Sequence, residues 1–98
     1  MYRALILPLA RKDIRNSAFW YEKQQQGLGR KFMLQVRDKV LFIQQNPESF
    51  NVKYDEVRTA ILATFPYQIH YSINENNKSV IISAVFHTSR NPKIWGKR

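Results

Sequence analysis

SVIISAVFHTSRNPKIW, residues 79–95, joins an apolar segment to a polar, basic and aromatic one. The apolar segment alternates with a period of two, which is the side-chain repeat of a β-strand. Its two predicted faces are Val80, Ile82, Ala84 and Phe86, and Ile81, Ser83, Val85 and His87. Because both faces are largely apolar, the segment is predicted to be an interior strand of its sheet.

The second half of this stretch carries the candidate site. The chain leaves the predicted strand at His87 and then presents Arg90, Lys93 and Trp95. A rigid strand that ends in a loop commonly presents binding or catalytic groups. We therefore expect these side chains to lie close together.

Two further strands are predicted before this one, over residues 56–65 and 67–74, separated by Pro66. Residues 74–78 form a turn, since their Asn residues tolerate left-handed backbone conformations. Short links between consecutive strands favour an antiparallel meander of three strands. Residues 48–55 are expected to form a loop.

The N-terminal half is predicted to contain one strand and two helices. Residues 2–7 form the strand, and a helical repeat of apolar residues begins at Leu9. Gly27 is a good helix-ending residue. A second apolar stripe starts at Leu28 and stops at Asn46-Pro47, because the residue before proline avoids the helical region. The very short turn between the helices predicts an antiparallel hairpin.

Together these elements predict a single α+β domain over residues 1–98: an N-terminal strand, an antiparallel helix hairpin, then the meander. The hairpin should cover one face of the sheet. The other face is less protected, and it can carry basic residues or receive a partner. The predicted core consists of Phe32, Val36, Val40, Ile69, Tyr71, Ile82 and Ala84.

Composition limits the classes of protein that remain. The 98 residues include 44% hydrophobic residues and no cysteine, which allows one modest core and excludes disulfides and thiolate metal sites. The net charge is +9, from 16 Lys and Arg against 7 Asp and Glu, and it predicts attraction to nucleic acid, an acidic protein or an anionic membrane. The apolar residues 4–10 are too few for a transmembrane helix, and they lack a signal peptide's cleavage region. We expect a cytoplasmic protein.

The available chemistry is cationic and aromatic. His70 and His87 lie on different predicted strands without a carboxylate cluster, and there is no glycine-rich phosphate loop, so we expect neither a metal nor a cofactor. His87 could act as a general acid or base, and Arg58 and Arg90 could hold phosphates. An imidazole and two guanidinium groups are the groups that RNA cleavage without a metal requires. Alternatively, His87 is a strand-end residue bonded to the backbone, and Trp95 packs against a helix.

An ordered set of residues over nearly the whole chain resembles a known family. These residues are Asp13, Ile14, Trp20, Tyr21, Glu22, Gly27, Leu28, Gly29, Phe32, Asn46, Pro47, Glu56, Val57, Arg58, Phe65, Pro66, Tyr67, Ile69, Tyr71, Ala84, Val85, Phe86, His87, Arg90, Pro92 and Trp95. The chain is similar to the RelE/ParE superfamily of bacterial toxins, which are the toxin halves of type II toxin-antitoxin modules.

The resemblance implies a target and a partner. RelE-like members are ribosome-dependent mRNA endonucleases with lysines and arginines on the central strands. ParE-like members, also described as plasmid stabilisation proteins, block DNA gyrase. Where the nuclease branch keeps two lysines and an arginine, this chain has Thr59, Ile61 and Gln68. The resemblance therefore favours a ParE-like toxin held inactive by a cognate antitoxin in a hetero-oligomer.

The residues expected to bind the target are Arg58, His87, Arg90, Lys93 and Trp95. If the protein is instead a RelE-like nuclease acting on mRNA at the ribosome, the catalytic candidates are His87, Arg90 and Arg58. A third possibility, from another class, is a non-toxic module that binds RNA or DNA. No membrane partner is expected.

Overall fold

The computed structural model describes residues 1–97, with only the backbone at Lys97. The elements are β1 (Arg3–Ile6), α1 (Pro8–Gln24), α2 (Leu28–Gln45), β2 (Val52–Tyr54), β3 (Val57–Ile61), β4 (Tyr67–Asn74), β5 (Ser79–His87) and a 3₁₀ helix (Pro92–Lys97). The order of helices and the strands of the meander agree with the prediction. The fold is α+β.

The strands form one five-stranded mixed sheet in the order β1-β5-β4-β3-β2. β1 pairs with β5 in parallel, and the other pairs are antiparallel. β5 therefore lies inside the sheet, as its two apolar faces predicted. The parallel pairing is possible because the helix hairpin carries the chain back across one face of the sheet. We call this the helix face and the opposite one the open face.

Several predicted boundaries were wrong. Residues 48–55 are not all loop, because Val52–Tyr54 pairs with β3. The next strand was predicted to end at Phe65 but ends at Ile61. The first strand is shorter than residues 2–7, and α1 begins at Pro8, since proline is well suited to the first position of a helix. The missed strand has three residues and an irregular register, too short for a periodic signal.

A β-bulge at Ser83 corrects the predicted faces of β5. His70 pairs with Ala84, but the next residue of β4, Tyr71, pairs with Ile82. The extra residue reverses the alternation of side chains beyond it. Val85 therefore joins the core under the helices, and Ala84, which was predicted to lie there, is buried on the open face beside His70. Phe86 moves to the open face with it.

The remaining core prediction is confirmed. Phe32, Val36, Val40, Ile69, Tyr71 and Ile82 are buried in one cluster between the hairpin and the sheet. The rings of Tyr21, Phe65 and Tyr67 surround Phe32, with centroids 5.1 to 5.4 Å away. This aromatic cluster fixes the hairpin to the end of the sheet that carries the site.

The two helices are held closely together at their shared turn. The Glu22 carboxylate accepts hydrogen bonds from the N–H groups of Gly27 and Gly29, which caps α2. A Cβ at position 29 would lie 2.5 Å from the carbonyl oxygen of Ala18, so only glycine allows this approach. Gly27 has a φ of 87°, a left-handed conformation that also favours glycine.

The start of β1 is fixed to the turn between β4 and β5. The Tyr2 hydroxyl donates to both oxygens of the Glu75 carboxylate, at 3.0 and 2.9 Å, and Lys78 lies 3.3 Å from the same group. The hydrogen bond from Tyr2, aided by Lys78, lowers the pKa of Glu75. The parallel strand is therefore anchored at its free end, far from the predicted site.

Candidate target-binding surface

The predicted site residues at and after the end of β5 lie on different faces of the sheet. His87 pairs with Tyr67 on the helix face, and the two rings meet edge to face at 5.2 Å. Its Nδ1 atom accepts the backbone N–H of Ser89 at 3.0 Å and lies 2.7 Å from the Ser89 hydroxyl. In this arrangement the neutral ring carries its proton on Nε2. His87 thus shapes the turn that leads to Arg90, whose N–H donates to the His87 carbonyl at 3.0 Å.

Arg90 lies on the open face. Its guanidinium carbon is 4.4 Å from the centroid of the Phe86 ring, a cation–π contact that orients an exposed side chain. The bulge at Ser83 creates this contact, because it turns Phe86 out of the core beneath the helices and onto the open face. The N–H of Thr88 also donates to the Pro66 carbonyl at 2.8 Å, which holds the turn before Arg90 against the β3–β4 loop.

Trp95 covers the middle of the open face. Its ring meets His70 at 4.8 Å and Tyr54 at 5.7 Å. His70 is fully buried, and its Nδ1 lies 2.9 Å from the Tyr54 hydroxyl. Trp95 therefore packs on the sheet, and not on a helix as the alternative to a binding role supposed. Lys93 is exposed on the same 3₁₀ helix, and Arg98, the last residue of the basic segment that begins at Lys93, lies outside the described residues.

Arg58 does not join this group. It pairs with Tyr71 on β4, and Tyr71 belongs to the core beneath the helices. Its Nη1 donates to the Phe50 carbonyl at 2.6 Å, and the buried Tyr71 hydroxyl donates to Pro47 at 2.6 Å. Burial raises the pKa of Tyr71. Arg58 thus fastens the segment after α2 to the helix face, whereas Arg90 lies on the open face.

Thr59, Ile61 and Gln68 are neighbours on the open face. Gln68 pairs with Ile61 on one side and with Phe86 on the other, and Thr59 pairs with His70. Thr59 and Gln68 are each 8% exposed. The positions that the resemblance compared with nuclease lysines and an arginine therefore meet on one uncharged patch.

Two groups of residues at this surface were not predicted from the sequence. Tyr54 and His70 form a buried pair across the sheet, and the missed strand β2 hid their proximity. On α1, Leu9, Lys12 and Asn16 lie beside Phe86 and Arg90. Helical periodicity could have found the α1 residues, because Leu9, Asp13, Asn16 and Trp20 form one stripe away from the core.

A separate groove runs along the outside of the hairpin, where α1, α2 and β1 meet. Apolar side chains line its floor, namely Ile6, Ile14, Met33, Val36, Val40 and Leu41. Arg11, Arg15 and Arg37 stand at its rim. The groove has a volume of about 480 Å³, and Met33 and Leu41 are about half exposed.

Within residues 1–97, no cluster of His, Asp or Glu has the arrangement needed to hold a metal ion. Among the same residues, no helix is both long and apolar enough to cross a membrane.

Two helices packed on a mixed five-stranded sheet are the architecture of RelE/ParE toxins, the toxin class of type II toxin-antitoxin systems. Residues 5–92 match the family model described as the ParE toxin of the type II toxin-antitoxin system parDE. The chain therefore belongs to the ParE toxin family, which confirms the resemblance. No curated protein matches it.

Solved structures share the fold at low sequence identity. The E. coli RelBE toxin-antitoxin complex contains a chain that is 17% identical, with a TM-score of 0.69, and the match covers 92% of this chain and 100% of that one. The chromosomal ParDE system of P. aeruginosa gives 17% identity and a TM-score of 0.67, over 89% and 96% of the two chains. The M. tuberculosis RelBE2 complex gives 17% identity and a TM-score of 0.62, over 88% and 96%.

Proposed function

We propose that this toxin arrests growth by binding DNA gyrase, and that a cognate antitoxin neutralises it by binding the helix hairpin. The observation that carries the choice of target is the uncharged patch of Thr59, Ile61 and Gln68 on the open face. Cleavage of RNA without a metal requires cations around the developing phosphorane charge. The patch offers none at the positions where the nuclease branch has them.

The contacts of His87 support the same choice. A general base needs a free nitrogen lone pair, but Nδ1 of His87 already accepts the Ser89 N–H. Protonating that nitrogen would break a hydrogen bond that shapes the turn. In the proposed function His87 positions Arg90, and Arg90 and Lys93 contact gyrase. Trp95 holds the 3₁₀ helix in place, and Arg58 has a structural role.

Induction in cells without the antitoxin tests the target. Growth should stop while a reporter plasmid loses its negative supercoiling, because gyrase supplies that supercoiling. Messenger RNA should stay intact over the same period. Cut mRNA in cells whose plasmid keeps its normal topology would contradict the proposal.

The antitoxin is proposed to occupy the groove outside the hairpin. Its apolar floor and arginine rim fit an amphipathic segment with carboxylates beside its apolar face. Opposite charges at such a rim steer association and fix the register of the bound segment. The similar structures from E. coli and M. tuberculosis are toxin-antitoxin complexes, and that from P. aeruginosa is a ParDE toxin-antitoxin system, which supports a partner of this kind.

Reversing one charge at the rim should weaken this complex. We expect Arg37→Glu to reduce antitoxin affinity on the order of tenfold, because the new carboxylate repels an acidic partner. Lys31→Glu is the matched control, since it makes the same charge change at an exposed position of α2 that does not line the groove, about 120° around the helix from Arg37. Titration calorimetry with the cognate antitoxin, encoded by the gene beside this one, gives the affinities of the two variants. Equal losses in the two variants would show that the rim has no special role.

A further inference from the structure

A depression lies between the start of α1 and the end of β5, beside Arg90. It is lined by Leu9, Lys12, Asn16, Phe86, Arg90 and Ile94, with Asp13 at its base, and its volume is about 460 Å³. This is room for one or two side chains, which is less than a helix or a duplex requires. It lies on the opposite flank of α1 from the groove proposed for the antitoxin.

The charges around the depression are arranged to receive an anion. Lys12 and Arg90 come from different elements and are both exposed at its mouth. Asp13 is the one carboxylate among the described residues of its lining, and it accepts the Val85 N–H at 3.0 Å. Within residues 1–97 no salt bridge joins Lys12 or Arg90 to a carboxylate. The lining therefore carries two cations against one carboxylate, and neither cation is ion-paired among the described residues.

The apolar groups of the depression identify what kind of anion fits. Phe86 is 2% exposed and its ring already carries the Arg90 guanidinium, so it offers no free face on which a nucleobase could stack. Leu9 is 53% exposed beside it and can receive an apolar side chain. Because Arg90 is held over Phe86, little side-chain entropy is lost when it binds. An acidic protein segment can supply a carboxylate for the two cations and a neighbouring apolar side chain for Leu9.

We infer that this depression is the socket by which the toxin binds an acidic–apolar segment of its protein target, with Lys12 and Arg90 holding a carboxylate and Leu9 packing on the neighbouring apolar side chain. The inference rests on the proposed function for the identity of the target, gyrase. The target-binding surface then includes the flank of α1, and the target must present a carboxylate beside an apolar side chain.

Charge reversal at two positions of one helix tests the socket. Lys12→Glu and Lys23→Glu change the net charge equally, and about 16 Å of helix separates them on the same side of α1. We expect Lys12→Glu to raise the toxin concentration that half-inhibits purified gyrase by at least about tenfold. Lys23→Glu should change it by less than about threefold. Leu9→Ala should also weaken inhibition, without any change in charge.

Four further measurements separate the possible failures. All variants should keep the wild-type urea midpoint and antitoxin affinity, so that any loss is local. Equal effects of Lys12→Glu and Lys23→Glu, or no effect of Lys12→Glu, would overturn the socket. An equal loss of binding to a fluorescent single-stranded DNA would make it a phosphate site and overturn it too. If the wild type does not inhibit gyrase, the proposed target fails, and growth arrest then decides: the socket stands only if Lys12→Glu abolishes arrest and Lys23→Glu does not.

Discussion

Phe32→Ala is expected to lower the free energy of unfolding by about 3–5 kcal/mol. Phe32 is fully buried, and the rings of Tyr21, Phe65 and Tyr67 enclose it at 5.1 to 5.4 Å. Truncation removes the buried ring and leaves a cavity that rigid aromatic neighbours cannot fill. Urea unfolding followed by circular dichroism measures the change. A loss of this size is a large share of the stability of a small domain.

Phe42→Ala is the matched control, because it removes the same side chain from the same helix. Phe42 is 44% exposed, its ring meets the edge of Phe50 at 5.9 Å, and the Lys39 ammonium lies 6.0 Å from its centroid. We expect this variant to lose about 1 kcal/mol or less. If Phe32→Ala cost no more than Phe42→Ala, the helices would not be packed on the sheet as described.

Arg90→Ala is expected to raise the toxin concentration that half-inhibits gyrase by roughly 30-fold or more, the range for arginines that dominate an interface. Its guanidinium is exposed and already oriented by Phe86, so truncation removes a preformed contact. The fold should be unaffected. Supercoiling of relaxed plasmid by purified gyrase, with the toxin titrated, gives the value.

Two variants control this experiment. Arg3→Ala removes the same charge from an exposed position on β1, at the edge of the sheet, and should leave inhibition within about threefold. His87→Ala loosens the turn before Arg90 but removes no target contact, so it should weaken inhibition less than Arg90→Ala does. A His87→Ala protein with no activity at all would indicate that the imidazole takes part in chemistry.

The order of elements could be predicted from the sequence because each long element has a clear period. The stripe of α2 and the alternation of β4 identified the correct core faces. The faces of β5 could not be predicted beyond Ser83, since a bulge depends on the pairing between strands and leaves no local signal. The parallel partner of β1 likewise depends on how the hairpin packs, which is a tertiary property.

The site was harder to predict than the fold. Proximity in the sequence did not bring the predicted residues to one face, because His87 packs on the helix face whereas Arg90 and Trp95 lie on the open face. His87 packs on Tyr67 and Arg90 packs on Phe86. The bulge at Ser83 decides that Phe86 lies on the open face and His87 on the helix face. Arg58 was also predicted as a target contact, and the structure shows that its Nη1 atom donates to the Phe50 carbonyl.

We propose that this ParE-family toxin acts on gyrase by binding and does not cut RNA. The most direct test uses the purified wild-type protein in two parallel reactions. One contains gyrase and relaxed plasmid, and the other contains ribosomes translating a defined mRNA. We expect supercoiling to stop as the concentration of the toxin approaches that of gyrase, and we expect the mRNA to stay intact. Codon-positioned cuts in the mRNA, with supercoiling unchanged, would contradict it and make the protein a nuclease.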